Sequence, residues 1–426
     1  MYRISNIPHD KEHIDWFTVV MYLLFVVLGW FNIYAASFDL ETSVSMFDIS
    51  GRAGMQLVWI GVSLVVIFTI LKLDISFFEN NAFLFYLIGI GVLVLTYFVA
   101  PDIKGSRSWL VIGSFRLQPA EFMKFVNVLM LSKIFSIYNF KLMEPKNILM
   151  VSAVILLPTI LVIMQSETGT ALVYLSLIFV LYREGLPGGF LFMGVAFIIY
   201  FVLTIKFSGT ELGVLSLGEI YTVGLIIFFA ALLVKNYMKR NDVPIIMISI
   251  GLIISGIGVV MSRLGIDVNV GLLALIGLGT ISLYLLYLLL RYRRRTYLYI
   301  LLFVLGSFAF VESSEYVFMD IMQPHQQMRI KVTLGMEQDL QGSGYHVGQS
   351  KIAIGSGGLT GKGYLNGTQT KLKYVPEQDT DFIFCTIGEE WGFLGSLITL
   401  VMFAVFIIRL IIMSERQVTT FGRVYG

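Results

Sequence analysis

In a chain where 57% of residues are hydrophobic and 14% are charged, few ionisable side chains fall inside or beside the apolar runs. In PAEFMKF, Glu121 and Lys124 are three residues apart. That spacing puts them on one helical face, where they can neutralise each other, either to fix helix packing or to touch a substrate. MQSETGTAL sets Glu167 between two apolar runs, a depth at which a carboxylate must face a polar cavity or the outer water. DTDFIFCTIGEEWGFLG puts Asp381 at the mouth of a late run and Glu389 and Glu390 about two helical turns further in. Those two acids could pair with a lysine or mark a helix distortion ahead of Gly392. The polar stretch MEQDLQGSGYHVGQSKIAIGSGGLTGKG, residues 336–363, sets Asp339 ahead of nine glycines between 342 and 367. Glycine at that density lets backbone amides approach a ligand closely. Lys351, Lys362, Lys371 and Lys373 make this region positive, a setting suited to an anionic, phosphorylated substrate.

These groups need a scaffold, and the composition supplies its class. The chain of 426 residues is far more apolar than a soluble domain tolerates, so an all-α polytopic membrane protein is expected. A hydrocarbon core of ~30 Å asks for about 20 apolar residues per helix. Twelve runs qualify or nearly do: 16–37, 55–72, 81–100, 119–137, 147–164, 169–182, 189–206, 219–235, 244–262, 270–290, 297–313 and 382–412. The run at 169–182 is short enough for a half-helix or a span shielded by its neighbours. The first run lacks a small-residue cleavage signature and is read as a retained helix. A net charge of +2 gives no support to a nucleic-acid partner. The single cysteine, Cys385, excludes an internal disulfide and suits a small buried residue, and the four histidines are too scattered for a zinc site.

Basic residues in short loops set the orientation. Arg3 and Lys11, then Lys72, Lys133 to Lys146, Arg183, Lys235 to Arg240, Arg291 to Arg295, and Arg409 to Arg423 fall on alternate loops, which are assigned to the cytoplasm with the N-terminus. Residues 314–380 then form one long extracytoplasmic loop. The division expected is a bundle over 1–313, with 219–313 an insertion of extra helices, the loop over 314–380, and a last span with a tail over 381–426. APDIKGSRSWLVIGSFRLQPAEF, residues 100–122, carries Lys104, Arg107 and Arg116 on the side that normally lacks such charge, which suggests an ordered anion-handling turn.

Five blocks together resemble the SEDS family of bacterial cell-wall glycosyltransferases, the RodA and FtsW proteins, and lie nearer to the RodA branch. They are GSRSWLVIGSFRLQPAEFMKF (105–125), SETGTAL (166–172), PHQQMRI (324–330), DLQGSGYHVGQSKIAIGSGGLTGKGYLNGTQ (339–369) and PEQDTDFIFCTIGEEWGFLG (376–395). The resemblance implies polymerisation of lipid II, the undecaprenyl-pyrophosphate-linked disaccharide pentapeptide, into glycan strands at the outer face of the bacterial inner membrane during cell elongation. It also implies a class B penicillin-binding protein as partner. Asp339 matches the family's loop aspartate in the D-x-x-G-x-G-Y pattern, whose implied role is general base on the acceptor hydroxyl. Such a displacement inverts the anomeric centre, so one base and a stabilised leaving group suffice.

For the undecaprenyl pyrophosphate leaving group the nominated contacts are Arg107, Arg116, Lys351 and Lys362, with room for a divalent cation, magnesium or manganese. Glu121 and Lys124 match the paired charges of the P-[SA]-E-x-x-K block, and Glu167, Gln369 and Asp381 complete the implied substrate-binding set. Three departures stand out. Ser108 occupies the place before the tryptophan where the family often has arginine, with Arg107 one residue earlier; Glu167 replaces a usual aspartate; and TTFGRVYG closes the sequence ahead of the family's last two spans and its PLPFxSYGG block. Two rival readings remain: a flippase or transporter of the lipid-linked precursor, with Glu121, Lys124, Glu167 and Glu390 along its path, and a non-catalytic scaffold for wall synthesis. The absence of an evident inverted repeat, and the concentration of polar chemistry in an external loop, favour the polymerase.

Overall fold

The computed structural model describes residues 14–38, 45–103, 105–113, 115–211, 214–238, 241–264, 269–322, 324–337 and 343–426. In chain order the helices are α1 (Trp16–Ser37), α2 (Arg52–Lys72), α3 (Ile75–Val99), α4 (Pro119–Phe135), α5 (Pro145–Met164), α6 (Thr168–Leu175), α7 (Ile178–Arg183), α8 (Gly188–Lys206), α9 (Leu217–Met238), α10 (Asp242–Arg263), α11 (Val270–Tyr292), α12 (Arg295–Tyr316), α13 (Pro324–Thr333), α14 (Ser343–Ser356), α15 (Thr368–Lys371), α16 (Phe384–Glu415) and α17 (Thr420–Tyr425). A small antiparallel pair, β1 (Leu110–Ile112) and β2 (Phe115–Leu117), lies between α3 and α4, with Val111 opposite Arg116. The protein is an all-α polytopic membrane protein. Each of the twelve expected runs overlies helix. Among the described residues nine helices have the length and hydropathy to cross a bilayer, and Thr168–Arg183 and Asp242–Gly258 are shorter apolar stretches. Large apolar side chains such as Leu71 and Phe98 stand exposed, as they do where lipid is the solvent.

Local sequence explains many of the helix ends. Pro119 and Pro145 occupy first-turn positions, where the missing N–H costs nothing and φ is already set. Ser216 and Glu219 form a reciprocal capping box at the start of α9: the Ser216 N–H donates to Glu219 Oε2 at 2.7 Å and the Glu219 N–H to Ser216 Oγ at 3.3 Å. Asn269 Oδ1 caps α11 by accepting from the Leu272 N–H at 2.9 Å.

The chain falls into two compact units, one of residues 1–187 with 346–426 and the other of residues 188–345. In the first, Leu93, Met123, Leu131, Val151, Val162 and Tyr174 form the core, and α17 closes it by burying Phe421 and Val424. The second is a helical bundle around Tyr200, Ile226, Met247, Ile281, Leu285 and Tyr297.

The segment expected as one outer loop, 314–380, divides between the two units and is largely helical. Its opening residues extend α12 through a π-helical turn at Val317–Ile321. The glycine-rich run YHVGQSKIAIGS lies within α14, so Gly348 and Gly355 sit in helix and not in an open loop. Glycine disfavours helix by about 1 kcal/mol per residue. Packing outweighs that here, because Ala353 and Ile354 cluster with Val375, Phe382 and Cys385. Cys385 is buried, as its sequence setting suggests.

Candidate active site

The polar segment after α14 is built into a break in α16. Gly392 has φ 66° and ψ −160°, which interrupts the helix after about two turns. In an unbroken helix the Phe393 and Leu394 amides would bond to the Glu389 and Glu390 carbonyls. Here they donate to the Gly358 and Leu359 carbonyls at 2.9 and 3.1 Å, while the two carbonyls left behind accept from the Lys362 and Gly363 amides at 3.0 and 2.9 Å. The segment thus satisfies all four backbone groups freed by the break, which an apolar setting requires. The approach is close enough that glycine is needed on both sides. Gly361 has φ 81°, and a Cβ there would collide with the Glu390 carbonyl, as one at Gly392 would with the Gly361 amide.

Glu389 ties the same segment down through its side chain. Its carboxylate is fully buried, and Oε1 accepts from Lys362 Nζ at 2.7 Å and from the Thr368 and Gln369 amides at 2.8 Å each. Oε2 accepts from the Thr370 amide at 2.9 Å. These three amides form the first turn of α15, where a negative charge is favoured. Lys362 Nζ also donates to Ser356 Oγ at 2.9 Å and Thr368 Oγ1 at 2.7 Å, so its three donors are all used within the chain. Glu390, one residue on, is 1% exposed, and among the described residues no donor meets either of its carboxylate oxygens in full hydrogen-bond geometry. The glutamate pair therefore does both things its sequence allows: Glu389 takes a lysine, and the helix distorts at Gly392.

A second carboxylate organises the basic turn. Glu167 Oε1 accepts from Ser106 Oγ at 2.8 Å and Ser108 Oγ at 2.7 Å, and the Arg107 amide between them donates to the Gln165 carbonyl at 3.2 Å. Gln165 in turn donates from Nε2 to the Leu93 carbonyl at 2.9 Å, anchoring the turn to α3. With both flanking serines held inward, Arg107 stands exposed. Ser108, where the resemblance leads one to expect arginine, is a buried strut.

Comparison with known proteins gives this arrangement a context. The model of the FtsW/RodA/SpoVE family, described as cell cycle proteins, matches residues 15–211 and 210–426. The chain belongs to this family. Curated relatives include the peptidoglycan glycosyltransferase RodA of Treponema pallidum (strain Nichols), 26% identical over 403 residues, 94% of this chain and 82% of that protein. Stage V sporulation protein E of Bacillus subtilis (strain 168) is 25% identical over 401 residues, 94% of this chain and 78% of its own length. The peptidoglycan glycosyltransferase MrdB of Escherichia coli (strain K12) is 50% identical over 104 residues, a match that takes in 24% of this chain and 28% of that protein. A solved chain described under structural coordination of polymerization and crosslinking by a peptidoglycan synthase complex shares the fold, with a TM-score of 0.55 at 21% identity, over 96% of this chain and 81% of that one.

In this FtsW/RodA/SpoVE member the candidate residues fall into separate groups. Lys362 and Gln369 meet through Glu389, the latter by its backbone amide. Glu121 and Lys124 form an ion pair of 2.7 Å at the start of α4, with Glu121 half exposed. Arg107, Arg116, Lys351 and Asp381 are exposed. Asp339 lies outside the described residues, as does Lys104. Among the described residues no group of three or more His, Cys, Asp or Glu side chains is arranged to hold a metal ion. Sequence reasoning passes over Ser106, Arg52 and Gln378, and marks Ser108 only as a departure from the family's pattern, because each acts on a partner more than fifty residues away.

Proposed function

We propose that this multi-pass membrane protein is a peptidoglycan glycosyltransferase that polymerises lipid II into glycan strands. The observation that carries the reading is the match, over 94% of the chain, to a relative named as a peptidoglycan glycosyltransferase. The geometry supports it by holding the glycine-rich segment in place: backbone exchange with α16 and the Glu389 carboxylate tie down residues 357–370, and among the described residues these contacts do not involve the Arg107, Arg116 or Lys351 side chains. In the proposed reaction Asp339 takes the proton from the acceptor sugar hydroxyl as that oxygen attacks the donor's anomeric carbon. The bond to undecaprenyl pyrophosphate breaks as the new glycosidic bond forms, with inversion.

Negative charge grows on the leaving pyrophosphate, and the exposed guanidinium and ammonium groups of Arg107, Arg116 and Lys351 are the ones available to meet it. Lys362, with its ammonium committed to Glu389, Ser356 and Thr368, positions the segment instead. Basic residues on alternate loops support an orientation with this chemistry on the outer face of the cytoplasmic membrane, and a class B penicillin-binding protein is the partner proposed to cross-link the product. The test is incubation of purified protein, alone and with such a partner, with lipid II in liposomes, reading product length on gels. Glycan chains of many disaccharides are expected; movement of lipid II across the bilayer with no polymer would assign a transporter instead.

A further inference from the structure

The turn between α11 and α12 concentrates charge that the proposed reaction leaves unused. The sequence there reads RYRRRTYLY, residues 291–299, and only Arg293 and Arg294 separate the two helices, so Arg291, Arg293, Arg294 and Arg295 all spring from one end of the pair. All four are exposed. Among the described residues none of them forms an ion pair, and the first turn of α12 holds no acidic residue to offset them. Three arginines of the first compact unit, by contrast, each meet a carboxylate: Arg409 binds Asp15 at 2.8 Å, Arg423 binds Glu184 at 3.1 Å, and Arg183 binds Glu415. Backbone geometry adds a second observation. Arg293 closes α11 in the left-handed region, with φ 50° and ψ 30°, and its amide donates to the Leu289 carbonyl at 2.8 Å. Glycine or asparagine makes such a closure most easily, so the arginine is held there against the backbone's preference.

The place of the turn selects its counter-charge. Both helices are long and apolar enough to cross a bilayer. The 23 residues of α11 span about 35 Å, more than a hydrocarbon core of ~30 Å, which puts its last turn in the headgroup layer. Leu290, Tyr292 and Tyr299 are exposed beside the arginines and continue them into an apolar and aromatic surface of the kind that meets lipid at the interface. Whatever neutralises the four guanidinium groups therefore sits at the bilayer surface, where phosphate is the anion at hand, and a guanidinium fork fits phosphate oxygens two at a time. A zwitterionic headgroup brings its own ammonium, so the cluster favours a lipid of net negative charge. We propose that the α11–α12 turn is a binding site for the phosphate of an anionic phospholipid headgroup, an inference that goes beyond the polymerase reading and does not depend on it. A signal for orientation alone needs positive charge, which lysine supplies equally, and has no use for an arginine at a left-handed position. Bound lipid ties this end of the second unit to the bilayer surface.

The experiment titrates the full chain in detergent with phosphatidylglycerol, phosphatidylethanolamine or inorganic phosphate, and reads bound lipid by native mass spectrometry. Phosphatidylglycerol should bind at least about tenfold more tightly than phosphatidylethanolamine, and inorganic phosphate should not displace it. At about fivefold for each basic residue lost from a charged surface, Arg293→Asn combined with Arg294→Gln should weaken phosphatidylglycerol by about 25-fold. Asparagine suits the left-handed position, so this variant keeps the turn and the fold. Changing all four arginines to lysine keeps the charge, and with it any orientation signal, but removes the bidentate fork; lipid binding should still weaken. Arg416→Gln, at an exposed arginine of the first unit, should change nothing. Equal binding of the two phospholipids, full binding by the Arg293→Asn, Arg294→Gln protein or by the all-lysine protein, or an equal loss in Arg416→Gln overturns the proposal. Displacement by inorganic phosphate overturns the lipid assignment in favour of a free-anion site.

Discussion

Glu389→Gln is a perturbation whose consequence follows from the hydrogen-bond geometry. The Oε1 position faces the Lys362 ammonium and two amides, so the single oxygen of glutamine must take that place. Its NH2 group then points at the Thr370 amide, donor against donor. Two amide–carboxylate bonds become ordinary ones and the Lys362 bond keeps only the lysine's charge, a loss of roughly 1 kcal/mol each, and an unsatisfied amide adds about 1–3 kcal/mol. Relief of the cost of burying a carboxylate offsets part of this, as does the partial exposure of Lys362, leaving about 2–4 kcal/mol. That energy should appear as local opening of residues 357–370, since the segment is held chiefly by Glu389 and the α16 break. An opening equilibrium raised by roughly 30- to 1000-fold is expected.

Hydrogen exchange followed by mass spectrometry on protein in nanodiscs reads this directly at the Thr368, Gln369 and Thr370 amides. Lys362→Met made in the Glu389→Gln background should cost at least about 1 kcal/mol less than in the wild type, because the two share one interaction. Unchanged protection of those amides, or strictly additive costs, would refute the reasoning.

Other expectations follow from the same coordinates. Gly361→Ala and Gly392→Ala each force a Cβ into backbone at positive φ, and each should destabilise by about 2–5 kcal/mol and lower the yield of folded protein, read by size-exclusion after heating. Glu167→Gln removes the charge that holds Ser106 and Ser108, so exchange over residues 105–109 should rise and polymerisation fall, with protein yield little changed. Asp15 accepts from Arg409 Nε and Thr18 Oγ1, each at 2.8 Å, and the arginine chiefly holds its carboxyl near 2 against an ordinary 3.8. A depressed carboxyl contributes stability that is complete above its unfolded value and lost as pH falls through the folded one. Acid titration of stability should therefore show a component that fades between about pH 4 and about pH 2 and is missing in Arg409→Gln.

Much of this architecture is legible in the sequence, for a definite physical reason. A lipid environment demands long unbroken apolar runs, and these are visible without an alignment, so each expected run overlies a helix. The Glu121–Lys124 pair follows from helical spacing alone. The run around Gly348 is harder to read, because its composition argues for an open loop while the burial of Ala353 against Val375 and Cys385 makes it helix. The choice of Lys362 as the partner of Glu389 was equally hidden, since four lysines occupy that stretch and only the tertiary path of residues 357–363 brings one of them to the carboxylate. Arg52 and Gln378 carried no local signal at all: each gains its meaning from a partner across more than 300 residues of chain.

The most direct test of the account compares wild-type protein with Asp339→Asn on lipid II in proteoliposomes, with binding of the substrate measured in parallel. The account predicts glycan strands from the wild type and none from the variant, at undiminished lipid II binding. Strands of equal length and rate from both proteins would contradict it.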